Sequence, residues 1–134
     1  MKALDTNILV RLLLDDDPAQ SKTVRRLFQT AEQNRSKLLV CDLVVLELIW
    51  VLEAVYGCTR DEVVSALESL LSLAVLEFEH ADRLRELGLL ARQEKTELAD
   101  LLLGIAGRHA GGETTLTFDK RASRSELFAA ASSG

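Results

Sequence analysis

Short apolar segments alternate along this chain with longer segments whose apolar residues recur at helical spacing. The short segments lie at residue 4 and over residues 37–40, 75–78 and 114–118. Helical connections between such strands require a parallel sheet, reached by right-handed crossovers and covered by helices on both faces. We therefore predict a single three-layer α/β/α domain with a short, mostly parallel central sheet over residues 1–134.

The segments between the strands begin and end with residues typical of helix termini. We predict helices over residues 8–14, 18–34, 43–56, 60–73, 80–93 and 97–109. Their predicted caps are Asp17, Asp42, Thr59 and Thr96, with Gln20 and Glu62 completing capping boxes. Glycines at positions 57 and 111–112 are expected to end two of these helices.

Composition favours helices and leaves the functional class open. Apolar residues make up 48% of the chain and aromatic residues only 4%, which disfavours an all-β core. The net charge of −5 argues against a nucleic-acid binder, unless the carboxylates are concentrated at a site that binds cations. Cys41 and Cys58 fit no zinc or redox motif and are expected to be reduced thiols. No signal peptide or membrane span is apparent, so we expect a cytoplasmic protein.

Four acidic residues occupy positions that suggest a shared site. Asp5 and Asp119 each follow a short apolar strand, where ligands of parallel sheets commonly bind. Glu47 and Asp100 lie inside apolar helical segments, where an unpartnered carboxylate is costly. Convergent carboxylates repel one another unless cations or shared protons are present, and all-oxygen ligands favour Mg²⁺ or Mn²⁺.

Most of these acids also have a purely structural interpretation. Asp5 can cap the helix that follows it, although Thr6 and Asn7 are able to replace it there. Glu47 can lie on a thin polar stripe or pair with an arginine. Asp119 can stabilise a turn.

Asp100 shares its predicted helix face with Gly104 and Gly107. Glycine weakens a helix, so two glycines on one face indicate close approach, either of a ligand or of a packed neighbour. We favour the packed neighbour. Glu97, one turn earlier, can join the acidic site or interact favourably with the helix N-terminus.

The segments around these acids resemble the four acidic motifs of PIN-domain nucleases. The matching segments are residues 4–10, 45–48, 97–103 and 115–120, and the similarity covers essentially the whole chain. Length and motif order most resemble the VapC toxins of prokaryotic toxin–antitoxin modules. That family often closes its sheet with a fifth strand. Here the tail over residues 125–134 is short and rich in Ala and Ser, so the sequence does not decide whether the fifth strand is present.

The resemblance implies a metal-dependent endoribonuclease that hydrolyses RNA phosphodiesters with Mg²⁺ or Mn²⁺. Four acids would hold the metal and carry catalysis: Asp5, Glu47, Asp100 and Asp119. Supporting positions in the pocket would be Thr6, Asn7 and Glu97. Four cations near these motifs are expected to contact RNA phosphates: Arg108, Lys120, Arg121 and Arg124.

The resemblance further implies a VapB-like antitoxin that restrains the enzyme, and we expect a homodimer as well. The first two predicted helices and one tryptophan offer apolar side chains that a small sheet is not expected to bury completely. These are Leu13, Leu14, Val24, Leu27, Phe28 and Trp50. We expect an amphipathic helix of the antitoxin to bind this surface.

Two other functions stay open. A Mg²⁺-dependent phosphatase or receiver domain also uses acids at strand ends. A receiver needs an acidic pair after its first strand and a strand-terminal lysine, whereas Asp5 stands without an adjacent acid. A non-catalytic acidic interaction module would keep the fold without binding divalent cations.

Overall fold

A computed structural model describes residues 1–131, which belong to two compact units divided after Ala81. The first unit contains β1 (Lys2–Ala3), α1 (Thr6–Leu13), α2 (Pro18–Gln33), β2 (Leu38–Val40), α3 (Asp42–Trp50), α4 (Arg60–Leu71) and β3 (Leu76–Phe78). The second contains nearly all of α5 (Ala81–Gln93), then α6 (Leu98–His109), β4 (Thr115–Thr117) and β5 (Phe128–Ala130). The predicted α/β fold with short parallel strands is confirmed.

The first unit is built on a three-stranded parallel sheet in the order β1-β2-β3. Lys2 lies opposite Leu38, which in turn lies opposite Leu76, so the three strands are in register at one end. Helix α1 packs against both α2 and α3. The fully buried side chains of this unit include Leu9, Val40, Val45, Leu48 and Ile49.

The second unit contains one parallel pair of strands, β4 and β5, with Thr115 opposite Phe128. The tail therefore does form the fifth strand that the sequence left open. Helix α6 packs near β4, and its buried residues Leu98, Leu101 and Ile105 form much of the core of this unit. Residues 132–134 lie outside the described part of the chain.

Two of the predicted helix caps are confirmed. The Asp17 carboxylate accepts a hydrogen bond from Gln20 N at 3.1 Å, with Pro18 at the first helical position of α2. The capping box predicted there is wrong, because Gln20 Oε1 accepts from Arg11 Nε at 2.7 Å instead. Thr59 and Glu62 form the complete reciprocal capping box at the start of α4. Both interactions join residues three positions apart, which is why the sequence alone identifies them.

The other two predicted caps are wrong by one residue. Helix α3 begins at Asp42 itself, whose carboxylate is instead 2.8 Å from His80 Nδ1. Helix α6 begins at Leu98, and the buried Thr96 donates its hydroxyl to Glu94 Oε1 at 3.3 Å. In each case the side chain contacts another side chain.

The predicted helix over residues 43–56 is regular only as far as Trp50. One π-helical turn, Val51–Val55, follows, and Tyr56 N donates to Val51 O at 3.2 Å. Gly57 then ends the helix with a φ of 67°, a left-handed conformation in which glycine is favoured because it has no Cβ. The end of this helix was predicted correctly, and the π turn was not.

Close packing explains both glycines of α6. A Cβ built on Gly104 would lie 2.8 Å from Phe128 Cε2 and 2.9 Å from Leu127 Cβ, and one built on Gly107 would lie 2.9 Å from Thr115 Oγ1. Glycine is therefore required where α6 meets the segment that leads into β5. The interpretation of these glycines as contacts with a packed neighbour is confirmed.

The apolar surface expected to receive a partner is smaller than predicted. Val24 and Phe28 are buried, with exposed fractions of 3% and 6%, so assigning them to a binding surface is wrong. They belong to the buried face of α2 because they recur at helical spacing with Ala31. Trp50, in contrast, is 61% exposed. Among residues 1–131, no helix has the length and apolar character needed to cross a membrane.

Candidate functional site

Asp5 lies two residues beyond β1 and is the N-cap of α1. Its Oδ1 accepts a hydrogen bond from Thr6 N at 2.7 Å. The expectation that Thr6 or Asn7 would cap this helix in its place is wrong, because α1 begins at Thr6, two residues earlier than predicted. The Asp5 side chain is exposed, and the cap uses only Oδ1, so Oδ2 remains available to a ligand.

Glu47 is exposed on α3, which contradicts the expectation that its apolar neighbours bury it. Leu43 and Trp50 lie on the same helix face, at spacings of four and three residues, and are 79% and 61% exposed. Leu48 and Ile49, on the other side of the helix, are fully buried. One face of α3 is therefore apolar and exposed to solvent, and Glu47 lies at the centre of that face.

Asp119 follows β4 and organises the turn after it. Its Oδ1 accepts from Arg121 N at 2.8 Å and from Ala122 N at 3.1 Å, while Asp119 N donates to Thr117 Oγ1 at 3.0 Å. Asp119 therefore stabilises a turn, as one interpretation predicted, and it does so through only one of its two carboxylate oxygens. As at Asp5, backbone amides fix Oδ1 and orient a carboxylate whose other oxygen remains available.

Asp100 lies in the first turn of α6, with Glu97 at the N-cap position. Partial burial raises the pKa of the Asp100 carboxyl, and the negative charges of Asp119 and Glu97 raise it further. Arg121 links two of these acids, since its N donates to Asp119 Oδ1 at 2.8 Å and its guanidinium is 3.8 Å from Glu97 Oε1. The carboxylates predicted from the α6 and β4 motifs are thus adjacent.

In each unit, acids without an ion-pair partner offer oxygen donors that suit a divalent cation. Within residues 1–131, no lysine, arginine or histidine forms an ion pair with Asp5, Glu47, Asp100 or Asp119. The raised pKa of Asp100 reflects uncompensated negative charge, which a cation would relieve. The Thr6 hydroxyl, beside Asp5, is buried without a hydrogen-bond partner. Hard oxygen donors of this kind match Mg²⁺ or Mn²⁺.

The four cations expected near RNA differ in their surroundings. Arg108 lies in the last turn of α6, at the opposite end from Asp100, and its guanidinium binds Glu86 at 2.5 Å. Arg121 NH1 is 3.8 Å from Glu97 Oε1. Lys120 and Arg124 are exposed, and neither forms an ion pair within the described residues. Contact of Arg108 with RNA stays a prediction, because this side chain already has an acidic partner away from Asp100.

The sequence interpretation missed a second group of ligand-bearing side chains in the first unit. Asp42, Glu79 and His80 each place one ligand atom within 4.8 Å of the other two. Glu79 Oε1 accepts from Asp42 N at 2.9 Å, at the start of α3, and His80 Nδ1 is 2.8 Å from Asp42 Oδ2. The first of these bonds satisfies one backbone amide at the N-terminus of α3, so we assign the group a structural role. Glu79 directly follows β3, the same position that singled out Asp5.

Comparison with known proteins identifies the family. The model of the PIN domain matches residues 2–126, which include all four acidic motifs. The chain belongs to the PIN-domain family. This PIN domain is also 26% identical over 121 residues to a VapC ribonuclease of Aquifex aeolicus (strain VF5), an alignment that covers 90% of this chain and 89% of the relative. No solved structure matches the chain significantly.

Proposed function

We propose that this PIN domain is a divalent-metal-dependent endoribonuclease in which residues 1–134 act as one nuclease domain. The observation that carries the proposal is geometric: Arg121 N donates to Asp119 Oδ1 at 2.8 Å, and the Arg121 guanidinium is 3.8 Å from Glu97, one turn before Asp100. The family match supports it, because that match spans both compact units. We assign Asp5, Glu47, Asp100 and Asp119 as the acids required for catalysis, and an enzyme of this kind would act in the cytoplasm.

In this proposal the chain's own residues hold and orient the reacting groups. The carboxylates of Asp100 and Asp119 bind the cation, and Glu97 adds negative charge beside them. Backbone amides fix Oδ1 of Asp119, so its Oδ2 is presented in a defined direction. When bound, Mg²⁺ or Mn²⁺ lowers the pKa of a coordinated water and offsets negative charge on the phosphate. Hydrolysis would join a water oxygen to phosphorus, break the bond to the leaving ribose oxygen and transfer the water's proton to solvent or to that oxygen.

RNA is favoured as substrate because the relative that aligns over most of this chain is called a ribonuclease. The family match also favours a nuclease over the two other functions that the sequence left open. A receiver domain would require phosphorylation of an acid, and an interaction module would not need divalent cations. Trapping of a phosphoaspartate, or absence of divalent binding, would favour one of these instead.

The proposal is tested by cleavage of defined single-stranded RNAs with purified protein in Mg²⁺, Mn²⁺ or EDTA. We expect cleavage only with a divalent cation, and its loss in each of four variants: Asp5→Asn, Glu47→Gln, Asp100→Asn and Asp119→Asn. Glu113→Gln changes an exposed acid of the second unit by the same charge and serves as the control. Full activity in EDTA, or in Asp100→Asn, would contradict the proposal.

We also propose that an antitoxin of the VapB type binds the first unit. A groove of about 420 Å³ is lined by Leu13, Leu14 and Leu52 along with Asp61 and Glu62 of α4. Its apolar lining and acidic side chains suit an amphipathic helix that also carries a basic residue. The name of the relative supports a toxin, and hence a cognate antitoxin.

Co-expression with the product of the adjacent reading frame tests this interaction. A stable complex with suppressed nuclease activity is expected, and Leu14→Asp should weaken it. Leu89→Asp, at a 59% exposed position of α5 outside the groove, is the matched control. Equal recovery of complex with both variants would exclude the groove. Homodimerisation is proposed separately, and sedimentation of the purified chain measures it.

A further inference from the structure

Three cationic side chains line a single cavity in the second unit. The cavity has a volume of about 320 Å³, within the range of small-ligand sites. Its lining residues are Glu94, Lys95, Thr96, Arg121, Arg124 and Ser125. With three cations and one acid, the cavity is positively charged although the whole chain carries −5.

The cations of this cavity are available to a ligand. Neither Lys95 nor Arg124 forms an ion pair within residues 1–131, and both are exposed. The Arg121 side chain is 71% exposed and is 3.8 Å from Glu97, too far for a close hydrogen bond. One ammonium and two guanidinium groups thus provide hydrogen-bond donors around one space, an arrangement that suits phosphate oxygens.

The cavity adjoins the carboxylates of the second unit. Arg121 belongs to the turn that Asp119 organises, since Arg121 N donates to Asp119 Oδ1 at 2.8 Å. The Arg121 side chain also approaches Glu97, whose charge acts on Asp100. A strand of RNA with one phosphate at the carboxylates could therefore bring a flanking phosphate to the cations.

We propose that this cavity binds a phosphate of the RNA substrate that flanks the bond to be cleaved, with Lys95, Arg121 and Arg124 as its ligands. The inference rests on the proposed ribonuclease function and adds to it a subsite and a new residue, Lys95. The buried Ser125 hydroxyl accepts from Leu127 N at 3.3 Å and retains its own proton to donate. Glu94 opposes phosphate binding by its charge.

A flanking phosphate contributes equally to binding of the substrate and of the transition state. Removal of Lys95 and Arg124 should therefore raise KM with little change in kcat. Each phosphate contact with a single strand contributes about 0.7 to the slope of log affinity against log salt concentration. We therefore expect the double variant to reduce that slope by about 1.4.

The experiment measures binding of a fluorescent oligoribonucleotide by anisotropy at several salt concentrations. For binding, all proteins carry Asp100→Asn so that the RNA is not cleaved, whereas KM and kcat are measured with the same substitutions in the otherwise wild-type chain. Lys95→Gln with Arg124→Gln should weaken binding about tenfold or more, since two charged hydrogen bonds to phosphate, partly screened by salt, are lost. Lys22→Gln with Arg26→Gln removes the same charge from exposed positions of α2 and is the control. Glu94→Gln should tighten binding, which a misfolded protein would not do.

The outcomes separate this inference from the proposed function. If wild-type protein cleaves RNA but the double variant matches its control in affinity, salt slope and KM, the cavity is not a phosphate subsite. If wild-type protein cleaves no RNA, the proposed function fails, while the difference in oligonucleotide affinity still tests the cavity. If the double variant instead loses only the antitoxin, the cavity binds protein and the inference is wrong.

Discussion

Asp100 and Asp119 lie close enough for their charges to interact. Burial, followed by the charge of Asp119 and then that of Glu97, raises the pKa of the Asp100 carboxyl. The two acids reach this position from different elements, one from the first turn of α6 and the other from the turn after β4. This accumulation of negative charge costs stability when the acids are ionised, and a bound cation would relieve that cost.

Asp100→Asn is therefore expected to stabilise the metal-free protein at neutral pH. An acid whose pKa is raised in the folded state costs stability when it is ionised. That cost is relieved as the pH falls through the raised value, and it vanishes below the unfolded value of about 3.9. Denaturant unfolding in EDTA from pH 7 to pH 4 should show a stabilising difference that shrinks with acidity. Glu113→Gln should show no such trend, and a constant destabilisation by Asp100→Asn would refute the account of its charge.

Gly104→Ala should destabilise the protein by about 1–3 kcal/mol, because the added methyl would overlap Phe128 and Leu127. Gly88→Ala is the matched control within the neighbouring helix α5, since nothing lies within 4 Å of the added Cβ. There the higher helix propensity of alanine should stabilise by up to about 1 kcal/mol. Urea unfolding of both variants measures the contrast. If both substitutions shift stability in the same direction, the packing of α6 on the β5 segment is misassigned.

Glu86 is expected to stabilise the second unit at neutral pH. Partial burial acts to raise its pKa, but hydrogen bonds from His109 and Arg108, together with their charges, outweigh this and lower it. A lowered folded pKa gives stability that is present above the unfolded value and lost as the pH falls through the folded one. Glu86→Gln should cost about 1 kcal/mol at pH 7, or about 3–4 °C in Tm, and little at acid pH. A cost as small as that of Glu32→Gln, an exposed acid of α2, would argue against the network.

Local interactions made much of the fold predictable. The helix caps at Asp17 and Thr59 join residues three positions apart. The end of the helix at Gly57 depends only on the backbone φ of that glycine. Asp42 was misassigned as a cap because its partner, His80, is 38 residues away. The fifth strand was left open for a similar reason: Phe128 packs at Gly104, a contact that the composition of the tail does not indicate.

The four acids of the candidate site stay predictions, and the structure bears only on the reasons for which they were chosen. Strand-terminal position identified Asp5 and Asp119, and the adjacency of Asp100, Asp119 and Glu97 agrees with that reasoning. Glu47 was expected to be buried because all its near neighbours are apolar, yet Leu43 and Trp50 are themselves exposed. Periodicity cannot distinguish an apolar face that packs in the core from one that faces solvent. Lys95 was missed because it lies in none of the four acidic motifs.

The central claim is that these acids hold a divalent cation that RNA cleavage requires. The most direct measurement titrates Mn²⁺ into purified protein, follows the free ion by electron paramagnetic resonance and assays RNA cleavage in the same samples. We predict that the wild type and Glu113→Gln bind Mn²⁺ and cleave RNA in proportion to the bound ion, whereas Asp100→Asn loses both. Undiminished Mn²⁺ binding by Asp100→Asn, or cleavage that does not depend on bound ion, would contradict the account.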